Sequence, residues 1–441
     1  MIPAVYFPIE IQHRELPSRL TIAAHLLARG FTVVIGSHWS LITETNQKAL
    51  PPALYLFKSV NRIQGNAMQS VATHGHIAAA NDEEALNAVG DSGYAVAFSE
   101  NAADACALFF AQSETHRAAI ARRFPRLADK IRVSGNPRLD IMLPRNRGMF
   151  DTADPRAETC KPYILFNTNY GTINSVWNDR QGVVAVAEAA GAFDGEDRAA
   201  KIAEFDAIVA WEKANFQAMT ALLAWSVENI RGVNFVVRPH PAERVRHWEK
   251  MLAKLPGARL IDRSDPHPWI AAAHLVVHTG CTTGLEAVLL GRPALNLLPH
   301  DHPTCDRIVT YANPTVRSWQ DAARAMTEFL QNGNGPITTH DPSAALDTYL
   351  PSYRDNAAAR LMADGLIDEL ARHGVRGGGA AFALRGPWFE KPVNDLMRQK
   401  YDVNAGDIQT GLATAARLAG VAFSAEMETL APGTFVLKPT G

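Results

Sequence analysis

Apolar residues along this chain gather in short runs, each closed by a turn and followed by a longer stretch with helical spacing. "PAVYFPIEI" is one such run. "RELPSRLTIAAHLLARG" has the spacing of a helix ending on Gly30, and "FTVVIGS" is β-branched and strand-like. The three form a βαβ unit, with Gly30 suited to the left-handed position that closes a helix. "ALYLFKS", "GHIAAANDEEAL", "YAVAFSE" and "KIRVSGNPRLDIML" continue the series, with a helix around "ETHRAAIARRFP". A second series opens at "YILFNTN" and passes through a long helix, "AKIAEFDAIVAWEKANFQAMTALLAWSVEN". It resumes with "NFVVRPHP", "ARLID", "HLVVHTG" and "PALNLLP". Strands alternating with helices predict parallel sheets covered on both faces. The expected fold class is α/β, as two doubly wound domains facing a central cleft. The polar stretch "PRNRGMFDTADPRAETCKP" is the expected linker, which sets domains at 1–150 and 151–375. "GGGAAFALRGP" marks a flexible joint before a mostly helical tail, 376–441, expected to pack back on the N-terminal domain.

Composition narrows the class. The 441 residues suit two domains. Apolar residues make up 47% and charged ones 20%, as in ordinary globular proteins, and the net charge of -2 gives no whole-chain reason to expect nucleic acid. Cys106, Cys160, Cys281 and Cys305 form no CxxC pair, so reduced thiols are expected rather than a zinc ribbon or a disulfide framework. The N-terminus meets charges too early for a signal peptide, and no window approaches the length of apolar chain a membrane span needs. A cytoplasmic protein is expected, with peripheral contact to an inner membrane left open.

In doubly wound sheets, ligands sit outside the carboxyl ends of strands. No GxGxxG or GxxxxGK[ST] occurs in the right context, so neither a dinucleotide site nor a P-loop is expected. Two other loops carry chemistry. Arg238-Pro239-His240-Pro241 follows "NFVV" directly. The prolines fix φ on either side of His240, which holds an imidazole in one place to donate to a phosphate or protonate a leaving one. In "HLVVHTGCTTGLEAVLL", Gly280 and Gly284 allow close backbone approach, and Thr279, Thr282 and Thr283 offer hydroxyls. The helix that opens there aims its free N–H groups at the loop, which suits a phosphate. Glu286, placed in the first turn, is the candidate acceptor for ribose hydroxyls.

These stretches resemble the C-terminal domain of a GT-B glycosyltransferase, whose two domains are Rossmann-like. The "HP" is similar to the motif of sialyltransferases and Kdo transferases that use CMP-activated sugars, and to that of CDP-glycerol glycerophosphotransferases. "IEIQHREL", "ARGFTVVIGS", "GHIAAANDEEAL", "SGNPRLDIM", "ILFNTNYGTIN", "RPHPAE" and "HTGCTTGLEA", in this order, resemble the bacterial surface carbohydrate biosynthesis family, over about residues 5–370. The resemblance implies an inverting, metal-independent transfer of a CMP-linked acidic sugar, such as Kdo, from a nucleotide-sugar donor to a polysaccharide or glycolipid acceptor. His240, Thr282 and Thr283 would hold the phosphate, Glu286 the ribose, and Asn169 and Gly171 would approach the donor phosphates.

The general base would come from the acidic pair Glu83-Glu84, although Ala85 stands where such transferases carry Gly. Asp82 precedes the pair. Glu10 and Arg14, beside Glu15, and Arg138 of "SGNPRLD" are candidate substrate contacts, with Gly135, Asn136 and Pro137 shaping the turn. His300-Asp301-His302 invites a metal reading, but three consecutive residues rarely chelate one ion without further ligands. His38, His74, His76 and His278 would be such ligands only in a hydrolase; no metal or other cofactor is expected. Two other enzymes remain open: a UDP-GlcNAc 2-epimerase-like isomerase, whose family carries paired Glu where this chain has Leu285 and Glu286, and a glycerophosphotransferase. A binding protein with a decayed site is the non-enzyme alternative.

Overall fold

The computed structural model describes residues 2–440 apart from 84, 96–97, 151–153, 177–179, 190–192, 194–196, 262–264, 304–305, 356, 378–381 and 393. The chain divides into two compact units. The first holds Met1–Leu86, Tyr94–Ile141 and Leu350–Gly441, and the second holds Asn87–Gly93 and Met142–Tyr349. Residues 350–375, expected with the second domain, therefore belong to the first.

The first unit is built on β1 (Ala4–Ile9), β2 (Thr32–Ser37), β3 (Leu54–Phe57), β4 (Ile77–Asn81), β5 (Leu108–Ala111) and β6 (Ile131–Val133), all parallel, in the order β2-β1-β3-β4-β5-β6. β1 to β5 are buried along their whole length, which is why they read as continuous apolar runs rather than alternating ones. The helix α1 (Gln12–Leu27) crosses over between β1 and β2. It lacks a side-chain cap from Ile11. Instead, the buried Glu15 carboxylate reaches back to accept the N–H groups of Ile11 at 2.9 Å and Glu10 at 3.2 Å.

The tail is less helical than expected. After helices Asp395–Lys400 and Ala405–Ala419 it ends in a hairpin, Ala425–Ala431 with Thr434–Pro439, whose second strand pairs antiparallel with β2. Pro432-Gly433 makes the turn, with Gly433 at φ +67°. Leu20, Ile22 and Leu26 of α1, Leu366 and Leu370 of helix Ala358–Arg372, and Phe435 and Leu437 of the hairpin share one core.

The second unit is built on β7 (Tyr163–Asn167), β8 (Asn234–Arg238), β9 (Ala258–Leu260), β10 (Leu275–His278), β11 (Ala294–Leu297) and β12 (Thr315–Val316), all parallel, in the order β9-β8-β7-β10-β11-β12. This is the doubly wound order 3-2-1-4-5-6, and its switch point lies between the carboxyl ends of β7 and β10. Four helices bear on that edge: α2 (Arg198–Asn229), α3 (Val245–Leu252), α4 (Pro266–Ala272) and α5 (Thr282–Leu289). Trp248 of α3, Leu222 and Leu223 of α2, and Phe166 of β7 fill the core beneath. Ala88–Val89 pairs antiparallel with Asp306–Arg307 as a small separate sheet in the same unit. Among the described residues no helix is long and apolar enough to cross a membrane.

Candidate functional site

In the second unit, the loops after β7 and β8 are knitted together by one carboxylate. Glu243 is almost fully buried. Its Oε1 accepts the Thr168 hydroxyl at 2.6 Å and the backbone N–H of His240 at 3.0 Å. Its Oε2 accepts the Trp248 indole N–H at 2.8 Å and the Asn174 side-chain N–H at 3.5 Å. The turn around Pro239 and Pro241 is thus fixed from below as well as by its prolines. The His240 Nδ1 accepts the N–H of Ala242 at 3.2 Å, so the neutral ring carries its proton on Nε2. His240 and Pro241 are exposed. Gly171 packs on the same turn; a Cβ there would stand 3.0 Å from the Cβ of Ala242.

A second buried carboxylate holds the far side of the β7 loop. Glu212 of α2 accepts the N–H groups of Thr172 at 2.9 Å and Ile173 at 3.1 Å, and the Thr172 hydroxyl at 2.7 Å. Burial raises its pKa to about 7 against these hydrogen bonds. Asn169, between the two clamps, is half-buried. Asn167 ends β7 buried, and neither atom of its amide group has a hydrogen-bond partner among the described residues.

The loop after β10 is held on both sides of one residue. Gly280 N–H donates to Asn296 Oδ1 at 2.8 Å, and its carbonyl accepts Asn87 Nδ2 at 3.0 Å. Gly280 sits at φ +53°, a left-handed conformation that disfavours any side chain. Thr279 is buried, its hydroxyl 3.1 Å from Tyr170 OH, which ties this loop to the β7 loop across the switch point. α5 then starts at Thr282 with no side-chain cap from Cys281, leaving its first N–H groups and dipole at the sheet edge. Thr282 is half-buried and Thr283 buried.

Gly284 departs from its expected role: its missing Cβ makes room for the His278 ring, whose Nε2 would lie 2.3 Å away, rather than for a ligand. Glu286 lies on the second turn of α5, not the first, and is buried against an internal cation. Its Oε1 stands 3.8 Å from His267 Nε2, while His267 Nδ1 pairs with Asp265 at 2.7 Å. Burial alone would depress the His267 pKa; Asp265 and Glu286 outweigh it and raise it to about 9. Arg238 is buried within electrostatic reach of Asp265, Glu286 and Cys281, and burial lowers its pKa against the two carboxylates. Arg307 was not legible as a site residue, yet its side chain lies beside Gly280 and over the Trp211 ring at 5.8 Å.

The expected residues of the first unit fall into two groups. Glu83 is buried, accepting Asn81 Nδ2 at 2.7 Å and Asn136 Nδ2 at 3.4 Å, with Arg138 at 3.8 Å. Arg14 donates to its backbone carbonyl at 3.0 Å. Glu84 lies outside the described residues. Glu10 stands apart, paired with Lys58 at 2.9 Å and with Lys400 at 2.8 Å. Asn136 caps the short helix Pro137–Asp140, so "SGNPRLD" is a structural turn that also presents Arg138.

His300 and His302 flank Asp301, which pairs with Arg317 at 2.7 Å, while His302 packs on Trp211. Among the described residues no group of three or more His, Cys, Asp or Glu could hold a metal ion. Cys106, Cys160 and Cys281 are buried free thiols, and Cys305 lies outside the described residues.

No family model matches the sequence, and no curated protein does. Solved structures do match the fold. A putative UDP-N-acetylglucosamine 2-epimerase from Listeria monocytogenes is 14% identical, with a TM-score of 0.52 over 87% of this chain and 100% of that one. A UDP-GlcNAc 2-epimerase from Neisseria meningitidis, bound to UDP-GlcNAc, is 12% identical, with a TM-score of 0.50 over 83% of this chain and 100% of that one. The strand orders and these likenesses make the fold GT-B in type, with two Rossmann-like units in one chain.

Proposed function

We propose that this chain is an enzyme of nucleotide sugars, with the nucleoside diphosphate seated at the carboxyl edge of the second unit. The observation that carries the reading is the convergence at one switch point of a helix start at Thr282 without a side-chain cap, a left-handed Gly280 held on both sides, and the buried Asn167 side-chain amide, which has no partner among the described residues. His240, fixed by Glu243 two strands away on the same edge, presents its Nε2–H. Charge on a diphosphate would be met by the α5 dipole, the His240 Nε2–H and the Arg307 guanidinium, without proton loss from any of them. Ribose contact by Glu286 would require its carboxylate to share with His267.

Of the two structures named above, one is described as a putative UDP-N-acetylglucosamine 2-epimerase and the other is a UDP-GlcNAc 2-epimerase bound to UDP-GlcNAc, which favours a UDP-linked sugar over the CMP-linked donor and isomerisation as the reaction. Inversion at C2 needs a base and an acid near that carbon. Transfer to an acceptor is the second reading. It is favoured by Leu285, a fully buried aliphatic side chain where the epimerase pattern has one of its paired acids. Incubation with UDP-GlcNAc alone, followed by proton NMR, separates the two. Appearance of the C2 epimer supports isomerisation; UDP release only when an acceptor is added supports transfer. Calorimetric titration with UDP, CMP, CDP and GDP tests the seat itself, and failure of all four to bind would remove the proposal.

A further inference from the structure

The tail carries none of the sequence motifs, yet it delivers a charged side chain to the carboxyl edge of the first unit's sheet. Its path is set by backbone bonds. Arg385 N–H donates to the Ala49 carbonyl at 2.7 Å. The buried Asn46 amide clamps Phe389, donating to its carbonyl at 3.0 Å and accepting its N–H at 2.8 Å. Asp402 N–H donates to Gln12 Oε1 at 2.7 Å. Lys400 is thereby placed 2.8 Å from Glu10, with its ammonium 5.9 Å from the ring centroid of the half-buried Trp39.

Glu10 follows β1 and Lys58 follows β3, and the order β2-β1-β3 makes this the switch point of the first sheet. Two hydroxyls flank it. Ser37 ends β2 opposite Ile9, and Ser59 follows Lys58. Both are buried, and neither hydroxyl has a hydrogen-bond partner among the described residues. Leaving such groups unmade costs about 1–3 kcal/mol each, so a ligand rich in hydroxyls would recover what the fold gives up.

We propose that this edge is a sugar subsite completed by the tail. Trp39 would offer an apolar face to a pyranose ring, Lys400 would donate to a hydroxyl or an acidic substituent, and Glu10 would accept from ring hydroxyls. Burial would raise the Glu10 pKa, but Lys58 and Lys400 outweigh it and hold it at about 2, so the carboxylate accepts throughout the neutral range. Burial depresses the pKa of the neighbouring His38 to about 4; Glu10 opposes this, and Lys58, Lys391 and Lys400 add to it. The inference rests on the nucleotide-sugar reading only for the class of ligand, because the nucleotide seat is in the other unit.

Saturation-transfer NMR with free N-acetylglucosamine, glucose and glucuronic acid tests it without any nucleotide. Wild-type protein is expected to transfer to at least one of these sugars. Lys400→Met is expected to weaken that signal about fivefold or more, and Lys400→Arg to restore it. A preference for glucuronic acid would assign Lys400 to an acidic substituent; a preference for the neutral sugars would assign it to a hydroxyl. No transfer to any sugar, or equal transfer in the Met variant, would overturn the subsite. UDP titration of the same three proteins is expected to give one common affinity. If UDP fails to bind while the sugar pattern holds, the nucleotide reading falls and the subsite stands.

Discussion

Glu243→Gln keeps the shape of a side chain and reverses half of its chemistry. Among the described residues, the four partners of the Glu243 carboxylate are all donors: the Thr168 hydroxyl and His240 N–H on one oxygen, the Trp248 indole and Asn174 amide on the other. A carboxamide can accept on one side only. Its NH2 would face either the indole N–H, which cannot accept, or the His240 backbone N–H, which cannot either. At least one buried donor is orphaned, and the charge assistance to the others is lost. Each orphaned donor costs about 1–3 kcal/mol and each weakened charged bond about 1 kcal/mol, so a loss of at least about 2 kcal/mol is expected. Trp211, Trp225, Trp248, Trp269 and Trp319 lie in the second unit and Trp39 and Trp388 in the first, so tryptophan fluorescence during urea unfolding is weighted towards the second unit's stability. The same variant should bind UDP more weakly, because His240 and the β7 loop lose their common anchor. A midpoint shift equivalent to under about 0.5 kcal/mol, with unchanged UDP affinity, would show that Glu243 anchors neither loop.

Glu212→Gln should behave in the opposite way. Thr172 and Ile173 N–H groups both use Oε2, which an amide oxygen can replace, and the Thr172 hydroxyl can turn to accept from the new NH2. The pKa of Glu212 rises on folding from 4.5 to about 7, so the folded state binds its proton more tightly. This contribution is complete below about pH 4.5 and is lost as pH passes 7, on the order of 3 kcal/mol at most. Urea midpoints of the Gln variant should lack that fall. His267, raised from 6.5 to about 9, gives stability that is full below pH 6.5 and lost as pH climbs through 9; His267→Gln should flatten the alkaline side of the stability profile. Gly284→Ala would put a methyl 2.3 Å from the His278 ring and 2.6 Å from Val309, both in the buried core, and should lower the urea-derived stability by about 1–3 kcal/mol.

The two sheets were legible because β1 to β5, β7, β8 and β10 are buried on both faces and so read as unbroken apolar runs. The hairpin at Ala425–Ala431 was not, because its outer strand is largely exposed and carries Glu426 and Glu428 among its apolar residues; Pro432-Gly433 was the signal that could have found it. The turn at His240 and the helix start at Thr282 were legible from turn chemistry, which is local. Glu243 and Glu212 were missed because the contacts that join them to the β7 loop are not local: Glu243 reaches Thr168 from 75 residues along the chain, and Glu212 reaches Thr172 from forty. Glu286 was assigned to a ligand by position alone, since sequence spacing cannot show that His267 already faces it. Lys400 was invisible for the same reason, its Glu10 partner being 390 residues away.

That last separation bears on synthesis. The second unit is drawn almost wholly from Met142–Tyr349 and holds its own core, so it can close while the ribosome is still translating. The first unit cannot. β2 keeps a bare edge until Thr434–Pro439 emerges to pair with it, and α1 keeps an uncovered apolar face until helices Ala358–Arg372 and Ala405–Ala419 arrive. The half of the molecule translated first is therefore the half completed last. A nascent chain stalled short of residue 434 would present a finished second unit beside an open, aggregation-prone sheet edge.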